Sequence, residues 1–433
     1  MTPQSAFFVL APVRSGAQND LTALLETMNA QPGHADPRNA LVPFGEFDRL
    51  HFARICIVRD DTTADVAAHG LSPAQYPPYL AFVGDVDESA ETFLQELGER
   101  AASGLTKLFS HCEGFQPGDD VVAWMQRHSA PASAWYANWK GRTMLQIREE
   151  AALRDAMEGY LDRHDESVAS LNPLELHALL RHFLSGEIAA ARLTMTPDPP
   201  TQWGWWLANA FGAVAPVVLL IVLSPIAAIV AAMLLLLVRL REAADPVICP
   251  RVDPRHRAAI ASTEDRDVTN VFSAVGSLKP GAVRRIVGLF GLMILNYATQ
   301  HVYTRGRLAR VRTIHFARWV WIDGKRRLVF MSNYDGSLES YMDDFINKAG
   351  FGLNFVFSNG IGYPKTRWLL AGGCKDEQKF KNFLYRHQFY TDVWYNAHRG
   401  LTAVDLERNA RIRAGLEARS LSEGEAAAWA SLL

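Results

Sequence analysis

The chain has 433 residues, nearly half apolar and about a fifth charged, which is enough for two domains or one duplicated body with a packed core. A net charge of −2 leaves no electrostatic footprint for nucleic acid, so no nucleic-acid partner is expected. Four scattered cysteines (Cys56, Cys112, Cys249, Cys374) with no CxxC spacing argue against a disulfide framework and fit reduced thiols in a cytoplasm-facing protein.

Residues 1–20 carry no basic region followed by a long apolar core, so no cleavable signal peptide is expected. Ala6 to Val13 has the composition of a strand. A short helix follows over LTALLETMN, where apolar residues recur at helical spacing behind Asn19 or Asp20 as cap. Leu50-His51-Phe52-Ala53-Arg54-Ile55-Cys56-Ile57-Val58 is a second strand and Tyr79 to Val83 a third. Asp87 or Ser89 caps a helix from about Glu91 to Phe109, and Ala134 to Trp139 supplies a closing strand. Strand, helix, strand, strand, helix, strand is the order of a ferredoxin-like unit.

The second half repeats this order. Ile314-His315-Phe316-Ala317-Arg318-Trp319-Val320-Trp321-Ile322 shares the core His-Phe-Ala-Arg with the first half. Without a gap, Leu80 to Phe115 aligns onto Leu328 to Tyr363, with identities that include Asp87/Asp335, Ser89/Ser337 and Gly104/Gly352. Arg127-His128 matches Arg386-His387, and Trp135-Tyr136 matches Trp394-Tyr395. A charged helix follows each copy, over about Leu145 to Arg163 and Val404 to Arg419, and Glu423 to Leu433 is expected as a frayed helix. Self-similarity in constant order is the mark of internal duplication. The fold class expected is therefore α+β: two tandem ferredoxin-like repeats packed sheet to sheet around a pseudo-two-fold axis, with an inserted apolar membrane hairpin.

That insert is the other decisive feature. From Trp203 to Val238 there is no charged residue, so the segment is expected to enter a membrane, with membrane lipid as partner. As one helix it is about 54 Å long at ~1.5 Å per residue, too long for a hydrocarbon core of about 30 Å. Arg239, Arg241, Arg251, Arg255 and Arg257 follow it and Arg192 precedes it. A single span places the two halves on opposite sides, whereas a hairpin with Pro225 near its tip keeps both on the cytoplasmic side. The hairpin is favoured, with Trp203, Trp205 and Trp206 at the interface. The apolar piece Ile286 to Ala298 is too short to span. It is either an interfacial helix with basic flanks or a helix buried under the hairpin. The expected divisions are 1–165 for repeat one, 166–200 for a helical linker, 201–241 for the hairpin, 242–268 for a basic linker and 269–433 for repeat two.

Candidate chemistry lies along the paired strands. Alternation puts His51 and Ala53 on one face, Phe52 and Arg54 on the other, and likewise His315 and Arg318. Two imidazoles facing the space between repeats can ligate or polarise a bound group, while the plainer role is a hydrogen-bonded core histidine. Arg54 and Arg318 in apolar strands need partners, and Asp87 and Asp335 are the nearest by topology. The copies differ around Ser332-Asn333-Tyr334-Asp335-Gly336-Ser337 and at Tyr363, His387, Tyr395 and His398, which moves the functional bet to copy two. Nucleotide-binding loops, hydrolase elbows and metalloprotease helices are absent from the sequence.

The tandem order resembles the dimeric α+β barrel superfamily, and within it the dye-decolorising peroxidase and chlorite-dismutase-like haem proteins. The resemblance rests on element order over about 300 residues and on Asp335-Gly336 at a strand corner, with Ser332 standing where that family has glycine. It implies catalytic roles for Asp335 and Arg318 in peroxide cleavage. It also implies haem as a possible cofactor, its iron held by one of His315, His387 or His398. Two functions follow: a membrane-associated protein that binds an apolar small molecule between its repeats without catalysis, or a haem-dependent peroxidase-like oxidoreductase acting on lipophilic substrates.

Overall fold

The computed structural model describes residues 3–59, 62–198, 203–265 and 267–433. In the first half, strand β1 (Gln4–Pro12) leads to helix α1 (Gln18–Glu26) and a short ribbon of β2 (Asn29–Gln31) and β3 (Gly33–Ala35). Strands β4 (Leu50–Val58) and β5 (Tyr79–Asp87) follow, then α2 (Ala90–Phe109), β6 (Ala134–Ala137), α3 (Met144–Arg163) and α4 (Pro173–Ala189). Two apolar helices come next, α5 (Trp203–Val222) and α6 (Ser224–Ala244). The second half runs β7 (Thr269–Ser277), α7 (Ala282–His301), β8 (Ile314–Ile322), β9 (Arg327–Asp335), α8 (Leu338–Lys348) and α9 (Gly350–Phe357). It closes with α10 (Glu377–His387), β10 (Val393–Asn396), α11 (Ala403–Glu417) and α12 (Glu423–Ala430).

The chain is a mixed α+β structure built on two main sheets, ordered β1-β5-β4-β10-β3-β2 and β6-β8-β9-β7. The closing strands are exchanged. β6 of the first half pairs with β8, Trp135 opposite Arg318, and β10 of the second half pairs with β4, Trp394 opposite Arg54. This corrects the expectation that each half closes its own sheet. A four-residue strand carries no pattern that says which edge it joins, so the edge is settled by what the tryptophans meet.

Every residue of β4 is buried, because both faces of its sheet are covered. On one face Ala53, Ile55 and Ile57 pack with Leu21, Leu25, Leu94 and Leu97 of α1 and α2. On the other, Cys56, Val58, Ala81 and Val83 interdigitate with Val275, Val320, Ile322 and Met331 of the second sheet. The second sheet's outer face packs against α7, α8 and α9 through Leu292, Met342, Phe345 and Leu353. The layers are helix, sheet, sheet, helix. A separate helical cluster joins α3, α4, α11 and α12 through Leu153, Leu180, Ile412 and Trp429. The tail is therefore no frayed helix: a Ser422/Glu425 capping box starts α12, and Trp429 is buried, its Nε1 donating to the Ile412 carbonyl at 2.9 Å.

Helices α5 and α7 are each long and apolar enough to cross a membrane by length and composition. The second is seven residues longer than the thirteen-residue piece Ile286–Ala298 that the sequence marks out, four of them at its start, where the basic flank lies inside the helix, and three at its end. α5 and α6 meet at Leu223, ahead of Pro225. Both lean on α7: Tyr297 Oη donates to the Ala213 carbonyl at 2.8 Å, and Val238 packs on Val287. At ~1.5 Å per residue, Val287 and Tyr297 are about 15 Å apart along α7. Ala213 and Val238 would be about 37 Å apart along a straight rod. The chain therefore bends at Leu223 into a wedge standing on α7, with limbs of about 15 and 22 Å. Its apolar side chains, from Phe211 through Val218, Ile221, Ile226 and Ile229 to Leu236, face outward.

Candidate functional site

The site begins with two bulges. Pairing of β4 with β5 slips between Leu50 and Phe52, and pairing of β8 with β9 slips at the matching place, between Ile314 and Phe316. The extra residue in each is the histidine. Alternation therefore fails at this point: His51 does not share the face of Ala53, and its ring lies against Phe316 of the other sheet while His315 lies against Phe52. Sequence patterning assumes regular pairing, and a bulge breaks it.

Each histidine is held by the aspartate at the end of the neighbouring strand. His51 Nε2 bonds Asp87 Oδ1 at 2.9 Å, and His315 Nε2 bonds Asp335 Oδ1 at 2.6 Å. The second oxygen of each carboxylate accepts the first backbone N–H of a helix, Met144 of α3 at 2.8 Å and Ala403 of α11 at 2.7 Å. Thr143 and Thr402 cap the same helix starts. Thr269 also donates to Asp335. His398 completes the group, its Nε2 3.0 Å from His51 Nδ1. Burial, His51 and His315 together hold the His398 pKa well below the ordinary value, so this imidazole stays neutral.

The arginines do not meet the aspartates assigned to them. Arg318 reaches across the interlayer to Asp85, with the Phe7 and Gly84 carbonyls each at 3.2 Å. Arg54 reaches the opposite way to the matching positions: Asn333, Ser273, and the Phe272 and Ser332 carbonyls at 3.0 and 2.9 Å. The expected pairing with Asp87 and Asp335 is corrected, because those carboxylates are already occupied by histidine and a helix start. The signal was present: Asp85 and Asn333 occupy the same place in the ungapped alignment. Both arginines are fully enclosed, and desolvation lowers both pKa values, Arg54 to about 10 with Arg318 adding repulsion.

His387 lies elsewhere, at the end of α10, bonded to the Val275 carbonyl and to Asp65, each at 3.0 Å. Arg386 joins the same carboxylate at 2.7 Å. Burial raises the Asp65 pKa, but the His387 and Arg386 bonds outweigh it and the net shift is downward. Of the five candidate residues, then, Asp335, His315 and His398 converge, Arg318 sits deeper in the interlayer, and His387 belongs to a different cluster.

The room available decides the chemistry. The cavity at His51, His315 and His398 is about 10 Å³, against roughly 300 Å³ or more for a small-molecule pocket. The apolar cavity that His387 borders is about 50 Å³. Haem does not fit these residues: the cavity that His315 and His398 line is far too small for it, and His387 lies elsewhere with both ring nitrogens engaged. The filled interlayer also leaves no room for an apolar small molecule between the sheets. Among the described residues no group of three or more His, Cys, Asp or Glu side chains is placed to hold a metal ion. A larger cavity, about 610 Å³ and of mixed polar and apolar lining, lies at the edge of the first sheet beside Glu26, Arg59, His256 and Asp392. Compared with protein-family models, curated proteins and solved structures, the chain matches none of them.

Proposed function

We propose that the chain is a membrane-anchored, non-catalytic binding or scaffold protein. Its body is two tandem ferredoxin-like units related by a pseudo-two-fold axis, and α5 and α6 form a re-entrant hairpin. The observation that carries the reading is the wedge, whose apolar side chains point away from the body with no protein to cover them. From their contacts with α7 to the bend, its limbs of about 15 and 22 Å fall short of a core of about 30 Å, which fits a hairpin that enters and leaves on one side. Exposed Ile286, Phe290, Met293 and Ile294 form a stripe along α7 beside it, and exposed Phe351, Trp368 and Leu370 lie near its foot. Arg239 and Arg241 at the base of α6 favour a body on the cytoplasmic side.

The non-catalytic part rests on the enclosure of the His–Asp–Arg network. Each of its carboxylates already serves a helix start or an arginine, and no substrate-sized space reaches it. Reporters of sidedness fused at residue 1 and at residue 433 test the topology and should both report the cytoplasm. Opposite sides would defeat the hairpin, and complete release of the chain from membranes by alkaline carbonate would defeat membrane anchoring.

A further inference from the structure

Beside the start of α7 lies a cavity of about 330 Å³ whose ionisable lining is almost wholly cationic. Lys279, Arg285, Lys325 and Arg326 border it, with Tyr76 on one wall and no carboxylate in the lining. One of these four cations is committed and three are free. The Lys279 amino group is buried and bound by Asp245 and by the Ser358 carbonyl. Arg285, Lys325 and Arg326 are exposed and have no carboxylate partner among the described residues. The other cations close by have carboxylate partners: Arg284 shares Asp245 with Lys279, and Arg327 bonds Asp323 while stacking on Tyr76. Three unpaired cations around one hollow are an unfavourable arrangement unless an anion is drawn in.

The position says which anion. Arg285 is followed directly by the exposed apolar stripe that begins at Ile286, and the foot of the wedge is packed against the same turn of α7 through Val238 and Val287. On the proposed anchoring, the hollow therefore opens at the level where hydrocarbon gives way to headgroups. We infer that this cavity binds a phosphate monoester group, supplied by the headgroup of an anionic phospholipid whose acyl chains lie along α7. Arg285 and Arg326 offer forked donors to phosphate oxygens, and Lys325 adds a point charge. Gly281, at φ +106°, opens the helix without a side chain over the entrance.

The test uses the full chain in nonionic detergent, titrated with dioctanoyl phosphatidic acid, dioctanoyl phosphatidylcholine and inorganic phosphate, read by calorimetry. Phosphatidic acid should bind and phosphatidylcholine should not, and the pair Lys325→Gln/Arg326→Gln should weaken phosphatidic acid at least tenfold with an unchanged melting temperature. The exposed linker pair Arg251→Gln/Arg255→Gln should leave binding intact; an equal loss there would reduce the effect to general surface charge and overturn the site. Equal binding by wild type and Lys325→Gln/Arg326→Gln would overturn it outright. Inorganic phosphate binding as tightly as phosphatidic acid would keep the phosphate site and overturn the lipid as its source. Because the inference rests on membrane anchoring, flotation with phosphatidylcholine vesicles is run in parallel. Failure to float sinks the anchor, whereas flotation with headgroup-independent binding sinks the site alone.

Discussion

The two buried arginines offer an experiment in which geometry is nearly constant and charge differs. Each crosses the interlayer and takes two backbone carbonyls from the facing sheet. Arg318 also finds the carboxylate of Asp85, while Arg54 finds the neutral amide of Asn333 and stacks on Trp394. Asp85→Asn gives Arg318 the surroundings Arg54 already has. Breaking a buried pair costs about 3–5 kcal/mol. The retained carbonyls, and the persistence of Arg54 with an amide partner, put the expected loss near the lower bound, about 3 kcal/mol.

The reverse change carries the opposite sign. Asn333 Nδ2 is buried and without a hydrogen-bond partner, so Asn333→Asp removes an unsatisfied donor and adds a counter-charge to Arg54. A gain of about 1–3 kcal/mol is expected. The double exchange Asp85→Asn/Asn333→Asp should return close to wild type, apart from coupling between the neighbouring guanidinium groups. Urea unfolding of the full chain in nonionic detergent at pH 7 measures all three, at low and high salt, since enclosed charges are little screened. A loss below about 0.5 kcal/mol for Asp85→Asn, or destabilisation by Asn333→Asp, would refute the view that counter-charge limits this interlayer.

Asp65→Ala strands both Arg386 and His387, so unfolding should show a loss of about 3–5 kcal/mol, with Asp65→Asn costing less; equal, small losses in both would show that the pair is not load-sharing. Asp392 is pushed up to about 6, mainly by burial and against the Ile57 N–H bond, so folding favours its protonated form. Its contribution is complete below about pH 4 and disappears as pH rises to about 6, a change of about 2–3 kcal/mol. Asp392→Asn should remove that part of the pH dependence and be more stable than wild type at pH 8; an unchanged difference curve between pH 4 and 8 would refute it. Glu242 accepts from the Trp368 and Leu369 N–H groups at 2.7 and 2.9 Å and from Thr366. Glu242→Ala should therefore speed hydrogen exchange at those two amides, and unaltered exchange would show that the foot of α6 is held by packing alone.

How far the sequence spoke depends on whether a signal was local. The limits of β4 and β8 were legible because β-branched and aromatic runs end at turns, and Ser89 and Ser337 cap α2 and α8 as side chains that compete for helix-start N–H groups do. The arginine partners were marked only by the matched positions of Asp85 and Asn333, which the alignment does not link to the arginines. Their nearest carboxylates along the chain lie in their own half, while the partners they meet, Asn333 for Arg54 and Asp85 for Arg318, belong to the other sheet, and which sheet stands opposite is a tertiary fact. His51 and His315 were misplaced by one face because a bulge has no propensity signal in Leu50-His51-Phe52. α7 was shortened at Arg284-Arg285, where charge looked like a helix flank; Arg284 is in fact buried and neutralised by Asp245 from the foot of α6. Convergence of Asp335, His315 and His398 followed from that tertiary arrangement, and His387 fell away because Asp65 claims it.

The two halves differ most at the helix after the first strand, and that difference connects architecture to function. α1 is an ordinary amphipathic cover, burying Leu21, Leu24 and Leu25 on its sheet. α7, in the same place in the second half, covers its sheet with Gly288, Gly291 and Leu292 and leaves Ile286, Phe290 and Met293 outside. Small residues on the inner face let α7 lie close to the body, Gly291 against Phe355 and Gly288 against Trp321. Beside that exposed stripe, Val287 and Tyr297 form a floor on which α6 and α5 stand. The same helix is held at its start by Asp245, which also takes Lys279, so the foot of the wedge, the floor and the edge of the cationic hollow share one carboxylate. The corner aspartates, in contrast, are repeated in both halves and consumed in holding α3 and α11. What distinguishes this chain is thus concentrated on one side of the second sheet, where the exposed apolar surface and the unpaired cations adjoin.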